Sequence, residues 1–339
     1  MKQTIKELLC CLGVLLVLVV VLLGIGKITR PVETDINVNA INNFHSMPND
    51  SIEVMCYGSS RMWRGLNVME MYDKYGVGAY NYGCNWQHIN TTALFLHDSY
   101  KTQSPKLVII EAANVHQPLM DVDMDGEIYY TKAIPWSKTK FECIRQYFGN
   151  TLERYLSYVL PLTAFHGNWE NLTEDNFLPE DNIHVDFYRD VEGISEDEFR
   201  KTMGFGYTDR VMPATIGNPD DFEQKQFEYY SIRWLDDIVN TCKENGSEVL
   251  FITMPYEGEY NYSEALNAYL AERGCGYIDF FKLMDEVGID PDTDFCDNSH
   301  LNNNGALKVA DYLGKYITEN YALTDYRNEP DNLWEKARQ

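Results

Sequence analysis

The chain has 339 residues, of which 45% are apolar, and a formal net charge of −24. This is enough for one large folded domain or two ordinary ones. The acidic balance excludes broad nucleic-acid binding and broad adhesion to anionic lipid, both of which need a basic face.

Residues 8–26 form an almost unbroken apolar segment, with Lys2 and Lys6 before it and Lys27 and Arg30 after it. That length can span a bilayer. A cleaved signal peptide is the competing reading, but Ile28-Thr29-Arg30-Pro31 is a poor cleavage site, which favours an uncleaved anchor. A short cytoplasmic tail (residues 1–7) and a large C-terminal part place the folded part outside a cell membrane as a single-pass protein. Residues 27–50 are polar and rich in Asn, as in a tether.

A globular domain is expected over 51–325. Residues 52–57 read as a first strand, 67–75 as an amphipathic helix closed by Gly76, and 78–82 as a second strand. A helix at 91–101 is ended by Pro105, and 107–112 (Leu-Val-Ile-Ile-Glu-Ala) read as a third strand. Regularity is then lost from about 115 to 221, an acidic, aromatic stretch with a helical pattern at 141–160; it reads as an insertion or cap. The rhythm resumes with a helix at 222–243, a strand at 249–253, a helix at 263–273, a strand at 277–280 and a last helix at 304–320. Residues 326–339 read as a C-terminal tail. Strands separated by helix-length segments predict an α/β fold: a three-layer α/β/α sandwich around a mostly parallel five-stranded sheet. Ligands of such sheets bind beyond the C-terminal strand ends, which directs attention to the residues after each strand.

After the first strand comes Gly58-Ser59-Ser60-Arg61. A serine between a strand and a helix N-terminus suits a nucleophile, because helix-end N–H groups stabilise nearby negative charge. Just before the last helix lies Asp297-Asn298-Ser299-His300-Leu301-Asn302. Asp and His three apart can set the carboxylate against one imidazole nitrogen and leave the other as a base. The same residues also read as an ordinary helix-capping loop, since Asp, Asn and Ser are good caps.

Together the two motifs resemble the SGNH/GDSL hydrolase family, in order and spacing over almost the whole ectodomain. The resemblance implies Ser60 as nucleophile, His300 as base and Asp297 as its orienter, with Ser59 where Asp is usual. It also implies an oxyanion hole of the Ser60 N–H, a backbone N–H from the second motif and an Asn amide from the third. In Asn81-Tyr82-Gly83-Cys84-Asn85-Trp86 the family's oxyanion glycine falls on Trp86. In Ala112-Ala113-Asn114 the amide falls on Asn114, although the usual Gly-x-Asn-Asp is incomplete. No cofactor is implied. The architecture is similar to membrane-anchored envelope members, including those of lipoteichoic acid D-alanylation and polysaccharide O-acetylation. That likeness implies an esterase or acyltransferase working on an acylated glycan or cell-wall polymer, with an envelope protein as a partner. The incomplete second and third motifs leave open a catalytically inactive glycan-binding or scaffold protein on the same fold.

Arg61 and Arg64 follow the nucleophile and could bind a phosphate or carboxylate of the substrate, or be ordinary helix-end arginines. The segment from Leu160-Pro161-Leu162 to His166-Gly167-Asn168-Trp169 looks like an insert shared by anchored relatives. His166 and Trp169 there read as acceptor-cleft residues or as cap packing. Asp121, Asp123 and Asp125 imitate a calcium loop, but its twelfth position is Lys132, where a bidentate Glu is needed. The eight Cys show no C-x-x-C spacing, so no zinc or redox motif is present.

Overall fold

A computed structural model describes residues 2–29, 36–112, 115, 131, 134–147, 152, 155–156, 160–177, 201–226, 229–258 and 260–338. In chain order these form α1 (Lys2–Thr29), α2 (Ile36–His45), β1 (Val54–Tyr57), α3 (Ser60–Gly65), α4 (Val68–Tyr75), β2 (Ala79–Asn81), α5 (Ile89–Ser99) and β3 (Leu107–Glu111). There follow α6 (Lys138–Tyr147), α7 (Pro161–Phe165), α8 (Tyr229–Glu244), β4 (Glu248–Thr253), α9 (Ser263–Glu272), β5 (Gly276–Asp279), α10 (Met284–Val287), α11 (Asn303–Asn320) and α12 (Leu333–Ala337). The chain divides into two compact units, Met1–Asp35 with Asp123–Phe187, and Ile36–Val122 with Tyr188–Gln339.

The second unit holds a five-stranded, all-parallel sheet in the order β2-β1-β3-β4-β5. β1 and β3 are buried along their whole length. Covering by helices on both faces is what allows near-continuous apolar runs such as Leu107-Val108-Ile109-Ile110 to serve as strands. Parallel strands need right-handed crossovers. The chain moves from β1 to β2 in one direction and returns past β1 to β3, so α4 and α5 fall on opposite faces. α11 joins α4 on one face, and α8 joins α5 on the other. The result is a three-layer α/β/α sandwich. Its topological switch lies between β1 and β3, where ligand sites form in such sheets.

Two expectations are corrected. The stretch read as a tether contains α2, in which Ala40, Ile41 and Phe44 are buried. Phe44 stacks on Tyr82 with ring centroids 4.4 Å apart, and Tyr80 donates to the Ala40 carbonyl at 2.9 Å. The short apolar spacing 40, 41, 44 makes one helical face but is too brief to stand out among the surrounding Asn. The expected C-terminal tail is also part of the fold. Trp334 is buried, its Nε1 donates to the Ala79 carbonyl at 2.8 Å, and its ring packs on Tyr72 and Tyr326.

Within the region read as an insertion, α6 and α7 belong to the first unit, whereas residues 201–221 belong to the second. The acidic stretch 121–126 and Lys132 lie outside the described residues. α1 is long and apolar enough to cross a membrane.

Candidate active site

β1 ends at Tyr57, and the chain turns at Gly58 with φ +153. A Cβ on Gly58 would stand 2.6 Å from the Cβ of Glu111 at the end of β3, so only glycine lets the turn cross the neighbouring strand this closely. The Gly58 N–H donates to the Gln87 side chain, and the Gly58 carbonyl accepts from the Cys84 N–H at 3.0 Å. Ser59 is the N-cap of α3: its Oγ accepts from the Arg61 N–H at 3.3 Å and donates to Glu111 Oε2 at 3.0 Å. Ser60 is thereby the first residue of α3 and is half-exposed.

The chain's other end supplies the partner. His300 Nε2 lies 2.7 Å from Ser60 Oγ. Its Nδ1 lies 2.8 and 2.9 Å from the two carboxylate oxygens of Asp297. The Ser299 N–H also donates to Asp297 Oδ1, at 2.7 Å. Burial works to raise the Asp297 pKa. The His300 hydrogen bond and charge, the Ser299 N–H and the Arg64 charge outweigh it and bring it to about 2. Asp297 is thus a carboxylate at any ordinary pH. This orients the Nδ1–H of His300 toward it and leaves Nε2 free to accept from the serine hydroxyl.

The loop carrying both residues is closed by the antiparallel bridge between Phe295 and Leu301. Its exit into α11 is capped by Asn302, whose Oδ1 accepts from the N–H groups of Asn304 and Gly305 at 3.0 and 3.2 Å. Asn302 Nδ2 donates to the Thr293 carbonyl at 2.7 Å. The two readings of the Asp-x-x-His stretch are therefore divided between residues: Asn302 caps the helix, and Asp297 turns to His300.

Arg61 holds its guanidinium 4.0 Å from the centroid of the Tyr256 ring. Arg64 is buried, 4.4 Å from the centroid of Trp63, and contributes to the field at Asp297. Trp86 has φ +54 and is 68% exposed. A left-handed backbone costs a non-glycine residue about 1–2 kcal/mol, and Trp86 carries that cost with its indole in solvent. Of the residues flanking it, Asn85 is tied to α3 through Trp63 Nε1 at 2.9 Å, and Gln87 to the β1–α3 turn through the Gly58 N–H. Asn114 lies outside the described residues. His166 and Trp169 lie in the first unit, on a 3-10 turn, both exposed. Among the described residues no cluster of His, Cys, Asp and Glu could hold a metal ion.

Sequence reasoning missed several supports. Glu111 is 4% exposed and buttresses Ser59; a lone carboxylate ending an apolar run was the signal for it. Asn81 is fully buried and its Nδ2 donates to the Met62 and Leu66 carbonyls at 2.9 and 3.0 Å, tying β2 to α3. Residues 203–214 form a strap. Its Met203 carbonyl accepts from the Asn81 N–H, its Trp63-bonded Gly206 follows, its Thr208 carbonyl accepts from the Asn303 N–H, and its Met212 N–H donates to the Phe295 carbonyl. The strap binds the β2 end to the His300 loop, and irregular hydrogen bonding of this kind leaves no periodic trace in a sequence.

No protein-family model matches the chain, and no curated protein matches it. Among solved structures the chain is similar to a Bacteroides fragilis protein described as a "putative acylhydrolase", at 12% identity and a TM-score of 0.38, covering 82% of this chain and 93% of that one.

Proposed function

We propose that the chain is a membrane-anchored serine enzyme of SGNH/GDSL type, an esterase or O-acyltransferase whose α/β unit lies outside the membrane. The observation that carries this reading is the unbroken hydrogen-bonded line Ser60–His300–Asp297 at the C-terminal end of a parallel sheet. A serine hydroxyl is a weak nucleophile until an adjacent imidazole takes its proton. Ser60 Oγ attacks the carbonyl carbon of a bound ester while its proton passes to His300 Nε2. Asp297 stabilises the imidazolium so formed. The tetrahedral intermediate collapses, the C–O bond to the leaving alcohol breaks, and His300 returns the proton to that oxygen. Water or an acceptor hydroxyl then attacks the acyl-enzyme by the same proton route, giving hydrolysis or transfer.

The resemblance assigns the oxyanion to the N–H groups of Ser60 and Trp86 and the amide of Asn114. Each such donor is worth about 10²–10³ in rate. It also assigns the substrate as an O-acyl group on an envelope glycan or polymer, without a cofactor and with an envelope protein as partner. The acidic surface fits a neutral or cationic acyl donor better than an anionic one.

The test is labelling of the full chain by a fluorophosphonate, with Ser60→Ala as control, alongside hydrolysis of p-nitrophenyl acetate. Labelling of the wild type and its loss in Ser60→Ala are expected. A wild type that neither takes the label nor hydrolyses the ester would instead support a binding or scaffold role.

A further inference from the structure

The first unit joins α1 to residues 160–177, which lie far away in the sequence. α7 and the 3-10 turns His166–Asn171 and Glu174–Phe177 pack against α1. The covered positions of α1 are Leu22, Gly26, Ile28 and Thr29, whereas residues 3–21 are exposed throughout. Positions 22, 26 and 29 lie on one helical face. Two asparagines close the end of the helix: Asn168 Nδ2 donates to the Thr29 carbonyl at 2.9 Å, and Asn176 Nδ2 to the Ile28 carbonyl at 2.8 Å. These carbonyls belong to the last turn, which has no partners of its own. Asn176 is buried and is itself held by the Thr173 N–H at 2.9 Å.

The level of this packing is set by the helix. Nineteen apolar residues from position 8 extend about 28 Å, close to the roughly 30 Å of a bilayer's hydrocarbon core. Residues 22–29 therefore reach the upper boundary of that core and the headgroup layer. At that level the packed segment exposes Trp169 and Phe177, at 67% and 64%. Tryptophan concentrates at this depth in membrane proteins, and Trp and Phe make up the lipid-facing side of segments lying in the interface. The same segment exposes Glu170, Glu174 and Asp175 and contains no Lys or Arg, so anionic headgroups would not hold it.

We infer that residues 160–177 form an interfacial collar, seated through Trp169 and Phe177 in the headgroup–acyl boundary of the bilayer that α1 spans, and that α1 is a retained part of the fold. A leader destined for removal has no use for side-chain caps contributed from about 140 residues downstream. This inference rests on α1 as a membrane span and not on chemistry at Ser60, so it and the proposed activity can fail separately.

The full chain reconstituted in phosphatidylcholine vesicles tests it. The difference in emission between wild type and Trp169→Phe isolates Trp169. That difference is expected to fall about twofold or more when the lipid is brominated near the glycerol end of its chains, and less when brominated near the methyl end. Phe177→Trp in the Trp169→Phe background gives an independent reporter with the same expected ranking. Quenching by aqueous acrylamide but not by brominated lipid would place the collar in water and overturn the inference. Shielding from both quenchers would mean a protein partner covers it, which also overturns it. A mature chain shown by intact mass to begin after residue 29 would refute the retained helix.

Discussion

Ser59 and Glu111 read best as one unit. In the turn after β1 the buried Ser59 hydroxyl donates to the buried Glu111 carboxylate at 3.0 Å. An aspartate at 59 would set two buried carboxylates within hydrogen-bond reach, which forces one to hold a proton or the turn to open. Ser59→Asp alone is expected to lower stability by about 2–4 kcal/mol, and Ser59→Asp with Glu111→Gln to recover much of it, as read by urea unfolding of both proteins. Asp297 makes a second prediction at this scale. Asp297→Asn replaces a carboxylate that only accepts by an amide that can also donate to Nδ1, so the His300 tautomer is no longer fixed, and the rate of ester hydrolysis should fall by about 10⁴ if Ser60 is the nucleophile. The low carboxyl pKa also carries a sign. The folded state binds the Asp297 proton less tightly than the unfolded chain, so the stabilisation is present above the unfolded value of about 4. It is lost as pH falls through about 2. Urea midpoints should therefore fall from pH 5 to pH 2 more steeply in wild type than in Asp297→Asn.

At the scale of elements, α11 shows how a cap can govern a site. Asn302 holds the first turn of the helix and the carbonyl of Thr293 together, and so closes the base of the loop that carries Asp297 and His300. Loss of an N-cap side chain typically costs about 1–2 kcal/mol. Asn302→Ala should show that loss in thermal unfolding, with a fall in fluorophosphonate labelling rate that Asn302→Asp partly restores. Elements of this kind divide by how they are written in the chain. The five strands and the long helices of the second unit were legible, because apolar runs and 3.6-residue periodicity carry them; Ser60 stood out because it follows the first strand, and Asp297 and His300 because they precede the last helix. α2 and α12 were not: among the described side chains their buried apolar residues are Ala40, Ile41 and Phe44 in the one and Trp334 in the other, below what a periodic pattern can show. The strap and the buried Asn81 and Gln87 act by individual, non-periodic hydrogen bonds to backbone groups, and a sequence gives no sign of which backbone group an amide will meet.

At the scale of the whole molecule, an aromatic core ties α2, the sheet and α5 together. Tyr82 stacks between Phe44 and Phe95, at 4.4 and 5.0 Å, with Tyr57 and Tyr80 each 5.9 Å away. Burial pushes the pKa of Tyr57, Tyr80 and Tyr82 well above the ordinary tyrosine value. These groups stay protonated in the folded state while the unfolded chain would ionise them near pH 10. Their contribution is complete below that pH and is lost as pH rises above it. Tyrosinate absorbance should thus rise in two stages on alkaline titration, the exposed groups first and the core groups in one step with the loss of circular dichroism. A single gradual rise without unfolding would contradict the packed core.

The last residues of the chain have a wider effect than their position implies. β2 is an edge strand, and its outer backbone groups are taken up by the Met203 carbonyl at the Asn81 N–H and by Trp334 Nε1 at the Ala79 carbonyl. Shortening the chain before Trp334 would leave that carbonyl without its indole and loosen the cover over an otherwise regular strand. An uncovered strand edge is a template for pairing with another copy. The C-terminal helix therefore covers part of that edge, and trimming it as a dispensable end is expected to favour self-association.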